Sequence, residues 1–284
     1  MAPPRERNDR RPAWNPAQGS GAGRGGEKPW RGPPRLPKRE TSHDWLWGRH
    51  AVEAALVNPA RPQPKRVLAI EERARALQAL APGLAVQVVE PTAIAAMLPT
   101  GAAHQGQALE TPELAGVDLD ALAEPTDGLL LMLDQVTDPQ NVGAIFRSAA
   151  AFGARGVILQ DRRSPPLAGA LAKAAAGAIE RVPCARVVNL ARALESLSDL
   201  GWRAVGLAGE AQADLAQVLD PRPTVLVLGS EGEGLRRLVA EHCDGMARIP
   251  MPGGFESLNV ASAAAVALYE ASRRTSVRAA GESD

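Results

Sequence analysis

Short, continuous apolar runs recur through the second half of the chain, and stretches with helically spaced apolar positions separate them. A continuous apolar run between turn residues is typical of a strand buried on both faces of a parallel sheet. The alternation with helices predicts an open, mostly parallel sheet. The predicted strands are residues 128–133, 156–160, 182–187, 203–207, 224–228 and 246–251.

The helices between these strands are predicted from apolar positions that repeat every three or four residues. One begins at Asp138-Pro139, which supply a cap and a proline at the first helical position. Further helices are predicted at residues 168–176, 190–197 and 257–273, with a short one that places Leu235, Leu238, Val239 and His242 on one face.

An earlier region, residues 44–110, also alternates between strand and helix patterns. The fold class is therefore α/β, with a small N-terminal α/β/α module and a larger C-terminal α/β domain. Predicted strands of the module are residues 66–70, 85–90 and 104–109, and its helices are residues 51–57, 71–80 and 92–97. Trp47, Arg49, His104 and Gln105 are either surface contacts of this module or structural residues.

Changes of composition divide the chain into five segments. Residues 1–43 are rich in Arg, Pro and Gly and poor in aliphatic residues, so we expect a disordered basic tail. With Trp14 and Trp30 interleaved, this tail is either an RNA-associating arm or a solubilising leader. Residues 44–110 form the module, 111–126 an acidic, proline-bounded linker, 127–275 the second domain, and 276–284 a disordered C-terminus.

Composition excludes several classes of protein. The two cysteines, Cys184 and Cys243, lack the spacing of a zinc site or a disulfide framework, and we expect free thiols in the cytoplasm. The four histidines show no metal-ligand spacing, so no bound metal is expected. No apolar run is long enough to cross a membrane, and the N-terminus does not resemble a secretory signal.

Two glycine-rich loops follow predicted strands in the second domain. The first is Gly229-Ser230-Glu231-Gly232-Glu233-Gly234, and the second contains Pro252-Gly253-Gly254 and leads to Ser257 and Asn259. The first loop has neither the G-x-G-x-x-G of a dinucleotide site nor the G-K-[ST] of a P-loop. Because ligands of open α/β sheets bind at strand ends, we expect the two loops to form a binding site.

Three segments of the second domain are similar to the SPOUT RNA methyltransferases, and within them to the TrmH/RlmB branch of ribose 2′-O-methyltransferases. They are residues 138–149 (DPQNVGAIFRSA), residues 228–234 (LGSEGEG), and residues 249–251 (IPM) followed by 257–261 (SLNVA). The similarity covers the whole second domain. Residues 44–110, with His104-Gln105-Gly106, resemble the ribosomal-protein-like RNA-binding module of the same family.

The resemblance implies a fold that strand patterns alone do not reveal. In this family the C-terminal segment passes through a loop and forms a deep trefoil knot, which builds the pocket for S-adenosylmethionine. By position, Gly229, Ile249 and Leu258 are the expected cofactor contacts, with Ala208, Gly209 and Met251 nearby. The family also implies a homodimer whose active sites draw residues from both subunits.

The polar residues that match the family's catalytic motifs are Asn141, Arg147, Glu231, Ser257 and Asn259. The family's equivalent of Arg147 is proposed to act on the ribose 2′-hydroxyl. Because a guanidinium stays protonated, we favour Arg147 as a clamp on a phosphate or oxyanion. Glu231 is expected to hold Arg147 or the ribose, and the other three to position the nucleotide. Glu256, where some relatives have serine, leaves the substrate less defined.

The resulting hypothesis is an S-adenosylmethionine-dependent RNA ribose 2′-O-methyltransferase that methylates a guanosine of 23S rRNA. Two alternatives stay open: a tRNA ribose methyltransferase, and a non-catalytic RNA-binding or ribosome-assembly protein with the same fold. A Rossmann-type oxidoreductase is disfavoured because no G-x-G-x-x-G follows an early strand.

Overall fold

The computed structural model describes residues 44–254 and 257–281, with side chains described as far as Arg273. These residues belong to one compact unit, Arg39–Asp284. The predicted basic tail, Glu256 and the last three residues lie outside the described part of the chain.

The N-terminal module is a four-stranded sheet with the strand order β1-β4-β2-β3. Only β3 runs parallel to its neighbour β2, and the other pairs are antiparallel. The strands are β1 (Trp45–Trp47), β2 (Arg66–Ala69), β3 (Gln87–Val88) and β4 (Gln107–Glu110), and the helices are α1 (Arg49–Val57), α2 (Glu71–Leu80) and α3 (Pro91–Met97).

Two strands of this module differ from the sequence prediction. β1 was not predicted, because its three buried residues form too short a run to show an alternating pattern. The strand predicted at residues 85–90 is paired only at Gln87 and Val88, and both are exposed at the edge of the sheet. The short pairing leaves few backbone groups open to further strand addition.

The predicted linker packs against the second domain instead of running freely between the two sheets. Its helix, α4 (Leu119–Ala123), buries Leu122 and Ala123. The amide nitrogen of Val117 donates to the carbonyl oxygen of Cys184 at 2.9 Å, and the indole Nε1 of Trp202 donates to that of Ala123 at 3.0 Å. This segment is therefore part of the second domain's core.

The second domain contains a six-stranded sheet with the order β10-β8-β9-β5-β6-β7, and every pairing in its described residues is parallel. The predicted parallel α/β fold is confirmed. The strands are β5 (Leu129–Leu133), β6 (Gly156–Gln160), β7 (Cys184–Val187), β8 (Arg203–Leu207), β9 (Thr224–Leu228) and β10 (Gly245–Ala247).

Helices cover both faces of this sheet. Alternate residues of β5 point to opposite faces: Leu129, Leu131 and Leu133 join one buried cluster, and Leu130 and Met132 join another. The helices are α5 (Pro139–Ala151), α6 (Gly169–Ala175), α7 (Leu190–Asp199), α8 (Leu215–Val218), α9 (Arg237–Glu241) and α10 (Val260–Gly281), with a 3₁₀ helix at Ala178–Glu180.

Three elements near the C-terminus have different bounds from those predicted. β10 ends at Ala247 instead of residue 251, because Pro250 and Pro252 cannot donate to a strand ladder. α9 is shorter than predicted and contains neither Leu235 nor His242. α10 begins at Val260 and continues through Gly281, so most of the predicted disordered segment 276–284 is helical.

Candidate functional site

Three loops meet at the carboxyl ends of three adjacent strands, β8, β9 and β10, and line an open cavity of about 440 Å³. We call this the donor cavity, after the methyl donor that the sequence resemblance predicts there. Each of the six residues predicted to contact a cofactor lines it: Ala208, Gly209, Gly229, Ile249, Met251 and Leu258. The structure therefore brings these residues together, although they come from three separate segments of the chain.

The glycine loop after β9 folds back sharply on itself. A Cβ atom on Gly229 would overlap the carbonyl carbon of Gly234 and the amide nitrogen of Leu235. The amide of Gly234 donates to the carbonyl oxygen of Ser230 at 3.0 Å, and Gly234 has a φ of 66°. Only glycine allows this close approach and this backbone conformation at low cost, which explains the composition of the loop.

A buried carboxylate anchors the same loop to the centre of the sheet. Asp134, fully buried directly after β5, accepts hydrogen bonds from the backbone nitrogen of Arg236 at 2.9 Å and from its Nε at 2.7 Å. The amide of Asp134 donates to the carbonyl oxygen of Leu228 at 2.8 Å. We did not predict this pair, because the two residues lie 102 positions apart and match no local pattern.

Asn141, Glu231 and Asn259 form a polar cluster beside the donor cavity. The Nδ2 of Asn259 donates to the Oε1 of Glu231 at 2.8 Å and to the Oδ1 of Asn141 at 2.9 Å. The Oε1 of Glu231 also accepts from the Nδ2 of Asn141 at 3.3 Å and from the amide of Val260 at 3.1 Å. The described contacts of Glu231 are thus with the two asparagines and with the start of α10, and not with Arg147, one of the two partners expected for it.

Asn259 also caps α10. Its Oδ1 accepts hydrogen bonds from the amides of Ala261 and Ser262, at 3.0 and 3.3 Å. These bonds satisfy backbone donors that have no partner inside the helix. Ser257 lines the donor cavity beside Leu258, and both are exposed to it. The cap therefore lies directly after these two cavity residues.

The donor cavity combines apolar walls with two carboxylates. Glu231 and Glu210 both line it, and Glu210 was not predicted as a site residue, although it follows Ala208-Gly209 directly. Carboxylates favour a ligand with positive charge. Leu228, Ile249 and Leu258 supply apolar surface. A ligand with both a cationic and an apolar part fits this lining.

Arg147 lies in a different place from the other four predicted catalytic residues. It is exposed and lines a separate groove of about 510 Å³ together with His50 and Arg181. Arg147 follows Asn141 by six residues on α5, which places it about 9 Å further along the helix and on another face. One chain therefore does not bring Arg147 into the donor cavity.

The four candidate surface residues of the N-terminal module have structural contacts. Trp47 is buried, and the Nδ1 of His104 accepts from the amide of Gly106 at 3.1 Å. The Oε1 of Gln105 accepts from the amide of Arg49 at 2.9 Å and from the Nζ of Lys173 at 2.6 Å. Burial lowers the pKa of Lys173. Gln105 therefore links the module to α6 of the second domain.

Neither a metal site nor a membrane span is present among the described residues. No group of three or more His, Cys, Asp or Glu side chains in this part of the chain could hold a metal ion. Of the helices described above, none combines the length and apolarity needed to cross a membrane.

Comparison with known proteins gives matches over most of the chain. Residues 128–269 match the SpoU rRNA methylase family. A 23S rRNA (guanosine-2′-O-)-methyltransferase RlmB from Pseudomonas aeruginosa is 42% identical over 241 residues, 81% of this chain and 96% of that protein. The RlmB of Pseudomonas syringae pv. tomato is 41% identical over 245 residues, 82% of this chain and 96% of that protein.

A solved structure has a similar fold and a bound cofactor. It is the SpoU methyltransferase AviRb from Streptomyces viridochromogenes in complex with AdoMet, with a TM-score of 0.69 and 26% identity. The match covers 81% of this chain and 89% of that one.

Proposed function

The chain belongs to the SpoU rRNA methylase family, and from this membership we propose that it is an S-adenosylmethionine-dependent methyltransferase of a guanosine 2′-hydroxyl in 23S rRNA. The observation that carries the proposal is the donor cavity. Its three loops come together at adjacent strand ends, beside the cluster of Asn141, Glu231 and Asn259.

The residues of the donor cavity fit S-adenosylmethionine. The missing side chain of Gly229 lets the backbone turn tightly, which leaves peptide groups available to a ligand. Apolar side chains suit an adenine ring, and the carboxylates of Glu210 and Glu231 suit the positive charges of the ligand. When bound, the cofactor supplies an electrophilic methyl group on a sulfonium.

The polar cluster holds the glycine loop in register with the start of α10. Its hydrogen bonds connect three segments, so the cavity wall keeps its shape when a nucleotide approaches. Alignment of the two reacting groups can contribute roughly 7–11 kcal/mol to lowering the barrier. The cluster would hold the ribose 2′-hydroxyl in line with the methyl group that the bound cofactor would supply, and the hydroxyl proton would pass to water.

We assign to Arg147 the role of binding the ribose 2′-oxygen or an adjacent phosphate. A guanidinium keeps its charge near neutral pH, so it stabilises negative charge that develops on the attacking oxygen. Since Arg147 faces its own groove, we propose that the enzyme works as a homodimer and that Arg147 serves the donor cavity of the partner subunit. This arrangement agrees with the position of Arg147 on a different face of α5 from Asn141.

Two further features belong to the proposal. The C-terminal segment forms a trefoil knot, which is supported by the placement of Ile249, Met251 and Leu258 in the same cavity wall as the loops after β8 and β9. The N-terminal module binds RNA. The protein acts in the cytoplasm, in keeping with two free cysteines.

Methylation mapping in a strain that lacks the gene tests the proposed function. Loss of one ribose methyl group from a 23S rRNA guanosine, restored by the wild-type gene, is the expected result. Loss of a methyl group from tRNA would replace the substrate in the proposal. An unchanged set of ribose methyl groups in both RNAs would overturn the proposal.

A further inference from the structure

The groove that contains Arg147 has walls from both parts of the chain. One wall is α1 of the N-terminal module, with His50, Glu53 and Ala54. The other wall is formed by α5 and by the turn between α6 and the 3₁₀ helix, with Arg147 and Arg181 at its surface. We call this feature, of about 510 Å³, the inter-module groove.

A buried ion pair holds these two walls together. The Nη2 of Arg61 lies 2.6 Å from the Oε1 of Glu180, with side chains only 2% and 3% exposed. The Nδ2 of Asn58 donates to the Oε2 of Glu180 at 2.8 Å, and the Nη1 of Arg61 donates to the carbonyl oxygen of Pro112 at 2.7 Å. Because both charges are paired and hydrogen-bonded, the contact ties the segment after α1 to the 3₁₀ helix beside the groove.

The backbone at the end of α6 allows α1 to approach closely. A Cβ on Gly177 would lie 2.8 Å from the Cβ of Ala54 and 3.0 Å from the carbonyl oxygen of His50. Gly177 has a φ of 90° and Ala176 a φ of 50°, so the chain reverses within two residues. The contact between α1 and the turn after α6 therefore forms the bottom of the groove, and the ion pair lies beside it.

The charges of the groove favour an anion. Within the described part of the chain, the guanidinium groups of Arg147 and Arg181 have no hydrogen-bond or ion-pair partner, and both residues are exposed. The carboxylate of Glu53, on the α1 wall, is paired with Arg49 at 3.1 Å. Arginine groups without a protein partner, in a concave surface beside a candidate reactive residue, match the chemistry of a phosphate backbone.

We propose that the inter-module groove binds the sugar–phosphate backbone of the substrate RNA beside the methylated nucleotide, with Arg181 in contact with a phosphate. This inference rests on the proposed function and adds a binding site that lies outside the donor cavity. It also gives the N-terminal module a defined role, because α1 supplies one side of the inter-module groove, in which RNA would reach Arg147.

The test compares Arg181→Glu with Arg192→Glu in the full-length protein, using 23S rRNA from a strain that lacks the enzyme. Arg192 is an exposed arginine on α7, outside the groove, and serves as the matched control. We expect Arg181→Glu to raise the KM for RNA at least about tenfold, whereas calorimetric affinity for S-adenosylmethionine stays unchanged. Arg192→Glu should match the wild type in both.

The salt dependence of RNA binding separates a phosphate contact from a structural effect. Arg181→Ala removes the proposed phosphate contact without adding a negative charge. Loss of one such contact reduces the slope of log Kd against log salt by about one. The inference is overturned if the wild-type protein methylates RNA but the Arg181 variants keep the wild-type KM and salt slope. If the wild-type protein methylates no RNA, the proposed function itself fails, which is a different outcome.

Discussion

Asn259 and Glu231 are 28 residues apart, and their side chains meet in a hydrogen bond of 2.8 Å from Nδ2 to Oε1. This contact joins the glycine loop after β9 to the first turn of α10. Since Glu231 also accepts from the amide of Val260, one carboxylate oxygen holds both a side chain and the backbone of the same helix start.

Glu231→Ala removes the acceptor shared by Asn141, Asn259 and the amide of Val260. We expect the affinity for S-adenosylmethionine to fall about tenfold, because two walls of the donor cavity lose their connection. Isothermal titration calorimetry measures the effect. Glu233→Ala, in the same loop and also exposed, is the control and should bind like the wild type. Equal affinities in the two variants would contradict the role assigned to Glu231.

Arg147→Ala should keep the affinity for S-adenosylmethionine and lose methyl transfer by two or more orders of magnitude, about 2.7 kcal/mol or more in the barrier. The reason is that Arg147 lies outside the donor cavity, whereas its proposed role is to stabilise negative charge on the reacting oxygen. Single-turnover methylation of 23S rRNA at saturating RNA is the measurement. Turnover near that of the wild type would remove Arg147 from the mechanism.

Gly229→Ala should disrupt the glycine loop, because the new methyl group overlaps the backbone of Gly234 and Leu235. Relief of the overlap requires the loop to move, at a cost of roughly 1–3 kcal/mol in stability. We expect a lower Tm and weakened cofactor binding. Gly253→Ala is the control, since no atom lies within 4 Å of a Cβ there. A normal Tm and affinity in Gly229→Ala would contradict the close approach of Gly229 to Gly234.

Glu180→Leu should destabilise the protein by about 3–5 kcal/mol, because it leaves the buried guanidinium of Arg61 without its carboxylate. The double variant Arg61→Met with Glu180→Leu should regain much of that loss, since it removes both buried charges. Urea unfolding followed by circular dichroism gives the free energies. A double variant no more stable than the single one would show that the unpaired charge of Arg61 is not the cause of the loss.

Burial raises the pKa of both Cys184 and Cys243 to about 12, compared with an ordinary value near 8.5. The folded thiols are therefore protonated at pH 8, and we expect alkylation by iodoacetamide to be at least about a hundredfold slower than in urea. Unfolded thiols release protons above about pH 8.5, so stability should decline from there toward pH 12. Mass spectrometry of native and unfolded samples checks the rates, and equal rates for either cysteine would contradict its burial.

Sequence patterns were sufficient for the parallel sheet, because each buried strand in its centre is a continuous apolar run. They were insufficient for the edges, where β1 and β3 contain too few residues to show a period. The end of β10 also depended on tertiary structure. Ile249 and Met251 leave the sheet to line the donor cavity, although their sequence pattern matches a strand.

The candidate site was predicted as a set of residues but not as a geometry. Motif positions identified the six cavity residues and the three members of the polar cluster. The buried anchor Asp134–Arg236 was missed because contacts between distant segments leave no local signal. The separation of Arg147 from Asn141 became visible only when the faces of α5 were placed against neighbouring elements.

The donor cavity has a consequence for protein synthesis. Its lining residues fall between Leu207 and Ala263, and those from Ile249 onward are translated after the other two loops. A nascent chain in which this segment has not yet been synthesised lacks one side of the cavity. The cavity is therefore completed late in translation, after strands β5 to β10 have been synthesised.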